Sequence, residues 1–276
     1  MSQEPVVEKA RVYYNSDDAD RFYFHVWGGE DIHVGIYATP EEKIRDASRR
    51  TVERITERLS PSGDWKILDI GAGYGGAARY LAETFGCFVE CLNLSEIQNQ
   101  RNRDMNQDAG LTNLISVTDG SFEELPFADA TYDAIWSQDA ILHSGNREKV
   151  LAEVSRVMKP GGTFIFTDPM QSPDCPPGVL QPVLDRIHLA TMGSVPFYKQ
   201  AAADVGLEFL DFEDLTEQLV RHYSRVLEET KVRYEEITGY CSAEYIDRMQ
   251  AGLSRWIEAG ENEYLNWGIL RFKKPA

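Results

Sequence analysis

The chain has 276 residues, with 28 Lys and Arg against 45 Asp and Glu, giving a formal net charge of −17. Hydrophobic residues make up 42 %, enough to pack a core and too many for a disordered chain. Acidity of this kind repels phosphate backbones and argues against a nucleic-acid partner, and no apolar run approaches the ~20 residues that cross a bilayer.

The first sixty residues read as helical, with an aromatic stretch from Tyr13 to Trp27 that Gly28 and Gly29 break. Thr39, Pro40 and Glu42 read as N-cap, first position and third position of a helix running to residue 59. A short apolar strand follows at 67–70 and ends in Gly71-Ala72-Gly73-Tyr74-Gly75-Gly76. Beyond it come a helix to 85, a strand at 88–94, a helix at 95–109, strands at 114–118 and 132–137, a helix at 147–158 and a strand at 163–167. Strand and helix alternate with short connections, the pattern of a parallel sheet covered on both faces. Residues 169–182 are Pro-rich and loop-like. Helices are expected at 183–192 and 196–205 and a strand at 206–212. The long polar helical stretch 215–259 reads as a cap inserted before a last strand at 263–273.

A glycine turn at the carboxyl end of the first strand lets backbone N–H groups approach a ligand closely. A dinucleotide site would also want a carboxylate ending the second strand. Here Asn93 stands there, and Asp69 lies before the glycines, where it would repel a pyrophosphate and suit an ammonium or a ribose. A nicotinamide-dependent oxidoreductase is therefore the weaker reading.

Leu68 to Gly76, Leu125-Pro126-Phe127 with Tyr132-Asp133-Ala134-Ile135, and Arg156 to Gly162 together resemble the motifs of the class I S-adenosylmethionine-dependent methyltransferases. The resemblance covers residues 66–168. It implies a Rossmann-like α/β fold, with a seven-stranded, mostly parallel sheet, helices on both faces and the helical cap before the last strand. The implied parts are an N-terminal helical segment (1–62), a cofactor-binding core (63–214), the cap (215–262) and the last strand (263–276). The implied cofactor is S-adenosylmethionine, without a metal. Asp69, Gly71, Gly73, Asn93, Gln98, Ser121, Phe122 and Gln138 are its expected contacts. Asn93 replaces the usual acid, and an amide still pairs with a hydroxyl, with Gln98 one turn on. Asp119 is the alternative to Ser121 beside the adenine.

The octapeptide Trp136-Ser137-Gln138-Asp139-Ala140-Ile141-Leu142-His143 resembles small-amine N-methyltransferases, which include phosphoethanolamine methyltransferases. In that resemblance His143 and Tyr23 act beside the amine. Over the whole chain the likeness is greater to the sarcosine/dimethylglycine methyltransferases, which make glycine betaine. It rests on Trp27 to His33, Leu92-Asn93-Leu94, Trp136 to His143, Thr167 to Met170, Leu184 to Ile187, His222-Tyr223-Ser224 and Trp267-Gly268. It implies small amino-acid substrates, with His143 relaying a proton and Tyr23 orienting it. Trp27 and Trp136 would face the growing cationic charge. Arg186 is the first candidate for the substrate carboxylate, with Tyr223, His222 and Arg225 behind it.

The four cysteines, Cys87, Cys91, Cys175 and Cys241, have no CxxC or zinc spacing, so no metal site is expected. The polar, acidic start lacks a secretory pattern, and the expectation is a cytoplasmic monomer of the osmolyte-producing kind.

Overall fold

A computed structural model of the chain describes residues 4–276 apart from Gly28 and His188, with the side chains of 4–7, Ala10 and Arg186 outside the description. Two N-terminal helices, α1 (Glu4–Tyr14) and α2 (Asp17–His25), precede α3 (Ile44–Leu59). The alternating core follows: β1 (Lys66–Ile70), α4 (Gly76–Phe85), β2 (Phe88–Asn93), α5 (Glu96–Asp108), β3 (Ile115–Asp119) and β4 (Tyr132–Gln138). A single 3₁₀ turn, Ile141–His143, leads to α6 (Arg147–Val157), β5 (Met158–Thr167) and the short β6 (Met170–Gln171). Then come α7 (Gln181–Arg186), α8 (Val195–Asp204) and β7 (Glu208–Asp214). The cap is α9 (Thr216–Val232), α10 (Tyr234–Ile237) and α11 (Ala243–Glu261), and the chain closes with β8 (Leu265–Asn266) and β9 (Gly268–Lys273).

Seven strands form one sheet in the order β3-β2-β1-β4-β5-β9-β7. β1 to β5 are parallel, with Ile67 level with Val89 on one side and Ala134 on the other. β9 runs antiparallel between β5 and β7. Ile67, Leu68 and Ile70 are fully buried, as a strand covered on both faces requires. One core layer joins Val52, Ile55 and Leu81 to Ile67 and Trp136. The opposite layer joins Val150, Leu151 and Tyr198 to Phe164 and Phe166. A third cluster ties α2 to the cap through Phe22, Trp27, Tyr223, Tyr245 and Trp256. Among the described residues no helix is long and apolar enough to cross a membrane.

Three expectations shift in detail. The helix expected from Thr39 begins at Ile44 behind Lys43, which makes no side-chain cap bond. Glu42 instead accepts from the Ala38 amide at 2.8 Å and from Arg50, so its carboxylate holds a turn rather than a helix start. The helix expected at 183–192 is the two-turn α7, with Pro182 at its start. The last strand is split at Trp267, whose amide donates to the Thr216 hydroxyl at 3.0 Å rather than into the sheet.

Candidate active site

The loop after β1 carries three left-handed glycines, Gly71, Gly73 and Gly75, at φ 82°, 53° and 77°. At Gly71 a Cβ would lie 2.3 Å from the Cβ of Ala140, so the loop presses on the segment after β4 with no room for a side chain. At the end of β2, the Asn93 amide donates to Gln98 Oε1 at 3.0 Å. Ser95 caps α5 by accepting from the Gln98 amide at 3.2 Å. Trp136 Nε1 donates to Gln138 Oε1 at 3.0 Å. The side-chain nitrogens of Gln98 and Gln138 are both buried without a partner. Both glutamines line one cavity of about 100 Å³ together with Gly71, Gly73, Asn93, Ser121 and Phe122. Two orphaned donors are costly in a closed core and are satisfied by a polar ligand. The donor set, a glycine cradle and an aromatic wall fit an adenosine with its ribose hydroxyls.

Of the expected cofactor contacts, only Asp69 does not line this cavity. It is buried at the end of β1, where burial and then the Asp31 charge push its carboxyl up to about 8. Asp119 accepts from Asn99 at 2.7 Å and from Arg103 at 2.8 Å and is not a cavity residue, whereas Ser121 lines the cavity.

A larger cavity of about 500 Å³ adjoins the first, and Tyr14, Tyr23, Ile32, Asp139 and His143 line both. The 3₁₀ turn after β4 places His143 there, with Nε2 2.9 Å from the Tyr14 hydroxyl and the rings edge to face at 5.5 Å. Tyr14, nine residues before the expected Tyr23, is thus a partner of His143 that the sequence reading did not name. Tyr23 lines both cavities, with its ring 5.8 Å from that of Tyr14 and 5.1 Å from that of Trp27. Tyr13 and Tyr14 stood in the aromatic stretch already noted. The break at Asn15 and Ser16, which turns α1 against α2, is what aims them inward.

Asp139 was missed as a site residue, although it stands inside the octapeptide. It sits at φ 50°, an uncommon conformation for a residue with a Cβ. Its carboxylate accepts from the Val34 amide and from Trp267 Nε1, both at 2.7 Å. Burial raises its pKa, as expected for a carboxylate that faces an apolar cavity. His33, which also lines the larger cavity, is held neutral by burial, down to about 4. Trp27 donates to the His33 carbonyl at 3.1 Å, which fixes its ring as a wall.

Trp136 is fully buried in the core and cannot meet a growing charge in the cavity; it acts by turning Gln138. His222 is also fully buried. Its Nδ1 accepts from the Gly35 amide at 3.1 Å and lies 2.9 Å from the Tyr37 hydroxyl. Burial lowers it to about 3, so it offers no cation. Arg225 pairs with Glu228 and Glu229 on its own helix. The side chain of Arg186 lies outside the described residues. Tyr223 lines the larger cavity, and among the described residues the cations lining it are Lys9, Arg248 and Arg255. Arg248 and Arg255 share one face of α11 with Tyr245, Met249, Gly252 and Trp256, a spacing of three and four.

The N-terminal helices are fastened over the junction. Asn15 donates to Glu96 at 2.7 Å, beside an Arg11–Glu96 ion pair of 2.6 Å. Tyr74 of the glycine loop donates to the Asp20 carbonyl at 3.0 Å.

Residues 68–166 match the family model of a methyltransferase domain. The chain is 57 % identical over 274 residues to the sarcosine/dimethylglycine N-methyltransferase of Aphanothece halophytica, covering 99 % of each. It is 56 % identical to the enzyme of the same name from Halorhodospira halochloris, covering 98 % of each. The crystal structure of a protein assigned as a sarcosine dimethylglycine methyltransferase from Galdieria sulphuraria superposes with a TM-score of 0.90 at 48 % identity, covering 95 % of this chain and 99 % of that one.

Proposed function

We propose the function of this site on one premise: the chain belongs to the sarcosine/dimethylglycine N-methyltransferase family of class I methyltransferases. Its activity is then the methylation of sarcosine to dimethylglycine and of dimethylglycine to glycine betaine, an osmoprotectant. The observation that carries this reading is the meeting of two cavities at the Tyr14–His143 pair, with Asp139 and Tyr23 on the same boundary.

S-adenosylmethionine supplies a methyl group on a positively charged sulfur. Asn93 and Gln98 would hold its ribose, Ser121 and Phe122 its base, and the backbone at Gly71 and Gly73 its amino-acid part, with Asp69 close behind. On the other side, Asp139 attracts the substrate ammonium. That ammonium must lose a proton before its lone pair can attack, and neutral His143, oriented by Tyr14, accepts it. Tyr23 and Trp27 face the nitrogen as its charge becomes permanent, worth about 0.5–2 kcal/mol each. Arg248, one helical turn from Tyr245, would leave its exposed 3.6 Å pair with Glu244 to take the carboxylate. The work is mostly positioning within a site that excludes water.

Methyl transfer from labelled cofactor to glycine, sarcosine, dimethylglycine and phosphoethanolamine in parallel tests the reading. Sarcosine and dimethylglycine are expected to be the substrates. Transfer confined to phosphoethanolamine would replace it, and Lys9, Arg248 and Arg255 would then be read as phosphate ligands.

A further inference from the structure

His143 rides on a single 3₁₀ turn, too short to hold itself rigid. The turn's own bonds run from the His143 amide to the Ala140 carbonyl at 3.0 Å and from the Ser144 amide to the Ile141 carbonyl at 2.9 Å. Neither uses the backbone groups of Leu142, the residue before His143. Those groups are taken by side chains. The Leu142 amide donates to Asp168 Oδ1 at 2.9 Å, and the Leu142 carbonyl accepts from Arg147 Nη2 at 2.7 Å. The peptide group that enters His143 is thus held on both sides, its carbonyl by Arg147 and its N–H by Ala140.

The two side chains come from different elements and are fixed in turn. Asp168 follows β5, and its Oδ2 accepts from the Tyr198 hydroxyl of α8 at 2.6 Å. Arg147 opens α6. Its guanidinium also donates to the Thr191 carbonyl at 2.7 Å and to the Thr191 hydroxyl at 3.2 Å. Asp168 and Tyr198 are fully buried, and Arg147 is buried as well. Both oxygens of Asp168 accept, the pattern of an ionised carboxylate. Burial pushes that carboxyl up to about 7, and the Tyr198 hydroxyl, Arg147 and the Leu142 amide pull against it.

None of the three side chains lines either cavity, so none of them meets the substrate. Two backbone groups in need of partners would be served by neutral side chains or a water. A buried carboxylate and guanidinium instead form shorter, stronger, more directional bonds. The same end of β5 also sets Asp139, whose amide donates to the Thr167 carbonyl at 2.9 Å. The two groups assigned to the substrate amine, Asp139 and His143, are therefore both registered against Thr167 and Asp168.

We propose that Asp168, locked by Tyr198 and opposed by Arg147, is a positioning residue for methyl transfer, holding the turn so that His143 stays in reach of the amine and of Tyr14. It acts through His143 and not on the substrate. This inference rests on the methyltransferase reading above.

The test is a set of variants with kcat, KM and the Kd for S-adenosylhomocysteine measured for each. Asp168→Ala is expected to lower kcat about 10- to 100-fold and to leave KM and Kd within about threefold. Asp168→Asn keeps an oxygen for the Leu142 amide and should recover most of the loss. In a His143→Asn background, Asp168→Ala should cost less than about twofold, because its effect passes through His143. A merely structural role would lower both backgrounds alike. A folded Asp168→Ala enzyme with kcat within about twofold of wild type would overturn the inference, as would an equal loss in the two backgrounds. Should Asp168→Ala not fold, Tyr198→Phe carries the same comparison, since it removes one hydroxyl and keeps the ring. A loss of about threefold confined to the enzyme that has His143 supports the inference, and an equal loss or none overturns it. Every variant is assayed with whichever of the four amines the wild-type enzyme methylates, so an unexpected substrate would overturn the family substrate reading alone.

Discussion

At the scale of single residues, the chemistry is concentrated in His143 and its neighbours. His143 accepts a proton only as the neutral imidazole, so activity rises with pH, as it does from deprotonation of the substrate amine itself. His143→Asn separates the two effects: it is expected to lose about 10²–10⁴-fold and to keep only the rise due to the substrate. Tyr14→Phe removes one hydrogen bond, worth about 1 kcal/mol, and should lose roughly fivefold. The double variant should fall short of the product of the two losses, because the pair acts as a unit. A His143→Asn enzyme with wild-type turnover would reduce His143 to a packing residue. Asp69 gives a second pH dependence. Its carboxyl is pushed up to about 8, first by burial and then by Asp31. Between the ordinary aspartate range and pH 8 the folded protein therefore holds a proton that the unfolded chain has lost, and its stability falls as pH rises. A bound ammonium reverses that preference and expels the proton. Affinity for S-adenosylhomocysteine should therefore climb from pH 6 to 8, by at most about tenfold per unit. Calorimetry in buffers of different ionisation enthalpy reads the released proton directly. Asp69→Asn should flatten the climb, and a flat wild-type profile would place the ammonium elsewhere.

At the scale of elements, the βα alternation was legible because its strands are short apolar runs bounded by glycine, and burial on both faces leaves little else to write there. The cofactor residues were legible for a related reason: Gly71, Asn93, Ser121 and Gln138 each stand at or just beyond the carboxyl end of a strand, where the fold dictates a ligand. The cap was not legible to the same degree. Residues 215–259 show a helical period, but which side of α11 meets a cavity depends on Tyr13, Trp27 and Ile187 arriving from distant parts of the chain. Arg248 and Arg255 were therefore not among the candidates, which were Arg186, Tyr223, His222 and Arg225. Tyr14 was missed beside Tyr23 because the turn at Asn15 and Ser16, not either helix alone, brings it to His143. The glycine loop tests this reading of β1 and α4. At Gly73 a Cβ would meet the end of the Ile32 side chain at 3.2 Å, which can yield, and the cost left is that of a side chain at φ 53°. Gly73→Val should thus block the cofactor in a protein that still folds. At Gly71 the obstacle is the Ala140 Cβ at 2.3 Å, fixed to backbone. Gly71→Ala should cost about 1–3 kcal/mol, a fall of several degrees in Tm. Equal thermal stability of the two variants would contradict this division, and a Gly73→Val protein that binds S-adenosylhomocysteine normally would remove the loop from the cofactor site.

For the molecule as a whole, the decisive quantity is the net charge of −17. Many arginines are already engaged. Arg54 and Arg58 of α3 reach Glu213 of β7 at 2.8 and 2.9 Å, and Arg156 holds Asp129 and Glu153, both at 2.8 Å. Exposed pairs of this kind contribute about 0–1 kcal/mol each and weaken in salt. The carboxylates left over repel one another across the whole surface, and that repulsion also weakens as the screening length falls from ~10 Å at 0.1 M to ~3 Å at 1 M. Two opposed effects thus act on one variable. The pairs are local, partly shielded and few at any one place, whereas the repulsion sums over every uncompensated charge. Screening should therefore stabilise the fold, with Tm rising by several degrees in KCl from 0.05 to 1 M and levelling above that. The rise should be smaller at pH 5, where part of the carboxylate charge has been titrated away. A Tm that falls steadily over the same range would mean that the Arg54 and Arg58 network between α3 and β7 outweighs the repulsion, and the Arg58→Met variant would then lose that salt dependence.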